Sequence, residues 1–124
     1  MTKEVLDIKR EYELLSPLAK AAWERIYDET LKIAAKMNLS EEQTQALLQR
    51  NMAEARYADL KAANEYLGRT NEEYSQRAIN RNKLEMQRMK RIHGDHFKEV
   101  KDVLPQFSAE LNQALNRKET KSNI

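Results

Sequence analysis

Apolar residues along this chain recur mostly at three- and four-residue steps, the spacing of one buried face of an α-helix. Val5, Leu6, Ile8, Tyr12 and Leu15 form the first such set and predict a short helix over 3–15. Ser16-Pro17 then reads as a helix start. Serine accepts a hydrogen bond from a first-turn amide, and proline at the first position lacks only an N–H that would have no intrahelical acceptor. Leu18, Ala22, Ile26, Ile33 and Met37 predict a second helix over 17–37, with Trp23 and Tyr27 beside that stripe. Asn38-Leu39-Ser40 interrupts the pattern. Ser40-Glu41-Glu42-Gln43 has the spacing of a capping box, with two acids at the positive end of the helix dipole. It opens a third helix over 41–67, about 40 Å long at ~1.5 Å per residue. The predicted buried positions of this helix are largely small: Ala46, Ala53, Ala55, Ala58, Ala62 and Ala63, with Leu47, Leu48, Met52, Leu60 and Leu67.

Gly68 suits the left-handed position that follows many helices. Thr70-Asn71-Glu72-Glu73 repeats the capping-box spacing. Together they predict a fourth helix over 71–103, folded back on the third through Gly68-Arg69-Thr70. Gly94-Asp95 predicts a kink near 94, Pro105 a stop, and Ser108 the cap of a last helix over 109–116, followed by a frayed polar tail at 118–124. The expected fold is all-α: one domain over 1–117, an elongated bundle built on a long antiparallel helix hairpin.

Composition changes that picture in one respect. Hydrophobic residues make up 40% of the chain and charged residues 34%, against typical values of about 45–50% and about 25%. So thin a core predicts a homodimer that buries apolar surface on the long helices. The absence of cysteine excludes disulfides, thiolate metal sites and cysteine nucleophiles. No apolar run approaches the ~20 residues of a membrane span. The amino-terminal residues carry no apolar leader, so the expected compartment is the cytoplasm, or the periplasm if a leader has been removed.

Candidate chemistry is sparse. The chain has no glycine-rich phosphate loop, no H-E-x-x-H and no nucleophile elbow. Its carboxylates stand with basic residues one turn away, as Asp28 does with Lys32. The expectation is a non-enzymatic protein without a cofactor. Charge is the more informative signal. Residues 74–91 carry six basic residues and one acid in a chain whose net charge is +2. Arg77, Arg81 and Arg88 fall within about 60° of one another at ~100° per residue, and Met86 and Met89 occupy a neighbouring stripe. Arginine pairs bidentately with carboxylates, so such a ridge beside methionines predicts a protein partner with an acidic surface and an apolar groove. An adaptor, a chaperone or an inhibitor from a phage or other mobile element would have this form. Nucleic acid is the alternative partner, although Tyr74 is the only aromatic nearby, so stacking on bases is not indicated. Imidazoles and thioethers aligned through Met86, Met89, His93 and His96 could also take copper or another borderline metal.

Met37-Asn38-Leu39-Ser40-Glu41-Glu42-Gln43 resembles the helix start of the Spy/CpxP-like periplasmic stress proteins. Those proteins, with the related nickel–cobalt sensors, are four-helix hairpin dimers. The segment from His93-Gly94-Asp95-His96 to Leu104-Pro105 resembles their late helix leading into a second such motif. The resemblance spans about residues 36–117, and Pro105-Gln106-Phe107 stands where Thr-Pro-Glu-Gln is expected. It implies a metal- or stress-responsive chaperone or sensor, with His93, His96 and Met89 as its ligands.

Overall fold

In the structure, a computed structural model, residues 3–69 and 73–122 are described, without the side chains of residues 74 and 117–122. They form α1 (Ile8–Glu13), α2 (Pro17–Lys36), α3 (Glu41–Leu67), α4 (Glu73–Val100) and α5 (Leu104–Ser122). The described residues are thus all-helical apart from their connections.

The local signals explain most boundaries. The Ser16 hydroxyl accepts from the Ala19 amide, with Pro17 in the first turn. The Ser40 hydroxyl accepts from the Gln43 amide while the Gln43 side chain accepts from the Ser40 amide, a complete capping box. Between these helices Asn38 takes the left-handed conformation with φ 59°. The Leu39 amide then bonds the Ala34 carbonyl at 3.0 Å and the Asn38 amide that of Ala35 at 3.1 Å, which closes α2 with a Schellman motif.

Several expectations are corrected. The first helix is only Ile8–Glu13, because Asp7 caps it and the preceding residues bond elsewhere. Gly68 is right-handed, with φ −64°. Gly94 neither kinks nor ends α4, which is continuous from Glu73 to Val100. The last helix does not start at a Ser108 cap: it begins at Leu104, places Pro105 in its first turn and extends to Ser122. The second predicted capping box falls largely on residues 70–72, which lie outside the described residues.

Two apolar clusters make the core. Leu6, Leu15 and Trp23 meet Leu48, Met52 and Leu60 of α3 and Met89 and Ile92 of α4 in the first. Ile33, Ala46, Leu47, Val100 and Phe107 form the second. On α2 the buried side is Trp23, Thr30, Ile33 and Ala34, while Leu18 is 84% exposed; the core stripe runs through the tryptophan rather than beside it. On α3, Ala46 and Ala53 are buried, but Ala58, Ala62 and Ala63 are exposed.

α3 and α4 share the most extensive contact among these helices. Their cross-partners run in opposite order: Glu54 faces His93, Arg56 bonds Glu85, and Asn64 reaches Ile79 and Asn82. α2 is fixed to α3 by the Ser16 amide and hydroxyl, both donated to Asp59 at 2.9 and 2.8 Å. α5 is fixed to α2 by Arg25, which donates to the Leu115 carbonyl at 2.6 Å, and by Lys36 with Glu110 at 2.8 Å.

Candidate interaction edge on α4

The basic segment becomes one edge of α4. Arg77, Arg81, Leu84, Arg88 and Arg91 succeed one another at steps of four, three, four and three, which keeps them on a single stripe. The Arg77 side chain is 79% exposed, its guanidinium 3.8 Å from Glu73 one turn back. Arg81 is exposed. Leu84, between the two halves of the edge, is 68% exposed.

The lower half of this edge is engaged within the molecule. Arg88 Nε donates to Glu4 at 2.7 Å, and its Nη1 donates to Glu85 at 3.0 Å. Arg91 reaches the other Glu4 oxygen at 3.0 Å. The hydrogen bond from Arg88 is the main reason the Glu4 carboxyl titrates below the usual carboxylate range, against some desolvation. Glu4 in return stabilises the Arg88 cation and raises its pKa.

These contacts belong to a clasp. Residues 3–7 cross α3 and α4 without helical structure. The Gln49 side chain pairs with both backbone groups of Leu6: it accepts from the amide at 2.6 Å and donates to the carbonyl at 2.8 Å. Leu6 itself is buried in the first cluster. His96 Nε2 lies 3.0 Å from the Glu4 carbonyl; since a carbonyl only accepts, that nitrogen carries the proton. Lys3 pairs with Glu99. Just beyond the clasp, Glu11 and Arg56 form a buried ion pair at 3.0 Å that also reaches Glu85 at 3.3 Å.

The residues predicted to act together are divided by this arrangement. Arg77, Arg81 and Arg88 do share an edge. Met89, expected at the surface, is fully buried, because its stripe faces α3. Met86 is half-buried, its sulfur 3.9 Å from the Asn64 amide nitrogen. The apolar member of the edge is Leu84. Leu84 and Arg91 were both legible from the four-three spacing; Glu4, Leu6 and Gln49 were not, since their role depends on a long-range contact.

His93 and His96 face different surroundings. His93 Nε2 is 3.8 Å from Glu54, and burial holds its pKa below the ordinary histidine range, with Arg50 adding to the effect and Glu54 opposing it. His96 is 5% exposed, and its Nδ1 has no hydrogen-bond partner among the described residues. Met89 lies in the core. Among the described residues no group of three or more His, Cys, Asp or Glu side chains is arranged to hold a metal ion.

A second exposed surface lies where α1 meets α2. Ile8, Tyr12, Trp23, Glu24, Tyr27 and Asp28 line an open cleft there. Trp23 is nevertheless a core residue, 4% exposed, packed against the 39% exposed Tyr27 at a ring separation of 6.0 Å. Among the described residues no helix is long and apolar enough to cross a membrane. No protein-family model, curated protein or solved structure matches this chain.

Proposed function

We propose that this chain is a non-enzymatic interaction protein, an adaptor, chaperone or inhibitor, that engages an acidic protein surface through the basic edge of α4. The observation that carries the reading is Leu84, 68% exposed, between Arg81 three residues before it and Arg88 four residues after. A solvated leucine is by itself ordinary surface; what distinguishes this one is the guanidinium group on either side. That combination is useful against a partner that offers carboxylates and an apolar pocket, since arginine and large apolar anchors dominate such interfaces. Arg77 and Arg81 supply the available cations, Arg88 is shared with the chain's own Glu4, and Met86 and Met89 support the edge from beneath.

The test is affinity capture with the native chain and with the Arg77→Glu/Arg81→Glu chain, read by quantitative mass spectrometry. The expected result is a protein retained by the native chain and lost by the variant, with helicity unchanged. Equal retention would overturn the assignment of this edge.

The proposal includes self-association: an antiparallel hairpin of α3 and α4 whose exposed apolar residues Tyr66 and Phe97 are covered in a homodimer, leaving Leu84 to the partner. Sedimentation at micromolar concentration should then give twice the 14.6 kDa chain mass. A monomer throughout would contradict it.

The second reading is a Spy/CpxP-like metal- or stress-responsive chaperone. The Ser40–Gln43 capping box, fully formed, favours it because that motif carries the resemblance. It predicts binding of copper or another borderline metal, which titration of the chain with copper would detect, although Met89, the third ligand the resemblance implies, lies in the core.

A further inference from the structure

We propose that the groove holding residues 3–7 is a recognition site for a partner's non-helical segment bearing a carboxylate two residues before a leucine, with the chain's own clasp as its resident competitor. The inference rests on the reading of α4's basic edge as the face for an acidic partner, and it gives that partner a sequence pattern.

Each part of the clasp defines a requirement. Arg88 and Arg91 hold the two oxygens of one carboxylate, Glu4, at 2.7 and 3.0 Å. Gln49 bonds the amide and carbonyl of Leu6 at 2.6 and 2.8 Å, as a neighbouring strand would, and so reads backbone without regard to the side chain. The Leu6 side chain fills a socket in the first core cluster. Val5, between them, is 69% exposed, so its side chain contributes little to the fit. The pattern is therefore acid, any residue, leucine.

The same contacts show why the clasp can be replaced. Its ion pairs are partly exposed: the Glu4 and Arg88 side chains are 34% and 33% accessible, Lys3 and Glu99 38% and 40%. Solvent at this depth keeps such pairs weak. Only Leu6 of the segment is buried. The clasp also places a single carboxylate on the edge, while Arg81 and Arg77 continue it two and three steps further along α4, beyond Leu84. A partner with additional acids gains contacts there that residues 3–7 do not make. This is the β-strand-like mode of peptide capture, backbone for affinity and side-chain pockets for selection.

The probe is a fluorescein-labelled peptide with the sequence of residues 2–8, titrated into the full native chain and followed by anisotropy. Saturable binding is expected, at least about tenfold tighter to a Glu4→Ala/Leu6→Ala chain whose own clasp is released, and at least about tenfold weaker for a peptide with Glu4→Ala, each factor corresponding to about 1.4 kcal/mol. Hydrogen exchange on the native chain supplies a readout that needs no variant: bound peptide should expose the chain's own Leu6 amide. No saturable binding to the native chain, or equal binding of the Glu4→Ala peptide, overturns the proposal and leaves the clasp a fixed part of the fold. Self-association of the native chain that the peptide abolishes would also overturn it, reassigning the groove to the clasp of a second copy. Failure here with capture still lost in Arg77→Glu/Arg81→Glu leaves the basic edge standing; failure of both removes it.

Discussion

Gly94 lies inside a continuous helix, α4, which runs from Glu73 to Val100. Glycine after a long helical run signals a break because its backbone entropy opposes helix formation. Here α4 continues through it, held on both sides by Met89, Ile92, His96 and Val100, all buried against the rest of the molecule. Packing of the flanking turns outweighs one unfavourable propensity. A Cβ built at Gly94 meets nothing within 4 Å, so no close approach requires glycine there. Gly94→Ala should therefore stabilise the chain by about 0.5–1 kcal/mol, raising the melting temperature by a few degrees. A lower melting temperature would show that the break is real. His93, one residue earlier, makes stability depend on pH. Its pKa is lowered in the folded chain, chiefly by burial, so the unfolded chain binds the proton more readily. This contribution is complete above the ordinary value of 6.5 and is lost as pH falls below it. His93→Gln should flatten that part of the stability profile in urea titrations from about pH 7 to about pH 5. Identical slopes in the two chains would contradict the assignment.

At the scale of elements, the legible parts were those written in local chemistry. Ser16-Pro17 and the Ser40–Gln43 box fixed the starts of α2 and α3, since a cap is satisfied within four residues. The reading weakened wherever a distant partner decides. Residues 3–7 have helical spacing, yet Gln49 takes the backbone bonds of Leu6 from 43 positions away. Asp7 then caps α1 by accepting from the Arg10 amide. The α2 stripe was misplaced for a similar reason. Leu18 fits the period, but α1 and α3 approach the neighbouring side, where Trp23 and Thr30 are buried. Proline at 105 signalled a stop and instead sits in a first turn, where its missing N–H costs no hydrogen bond. Met89 was placed on the right helix and the wrong face. Its neighbours at three- and four-residue spacing, Met86, Ile92 and His93, all face inward to some degree, and that stripe is the seam with α3.

For the molecule as a whole, the distribution of charge and apolar surface is what points to a function. Outside a core to which every helix contributes, the basic edge of α4 leaves Arg77, Arg81 and Leu84 exposed together. Charge reversal at the arginines alone does not separate a protein partner from a nucleic acid, because both use guanidinium groups. Leu84 does separate them: a polyanion is bound through its phosphates and does not depend on a neutral apolar neighbour, while an apolar pocket needs the leucine itself. The most direct measurement is retention of the captured partner by a Leu84→Ala chain, which changes no charge, across a range of salt concentrations. The account predicts loss of retention at every salt concentration with helicity unchanged. Undiminished retention by Leu84→Ala, together with binding that falls steeply with salt in both chains, would contradict it and assign the edge to nucleic acid.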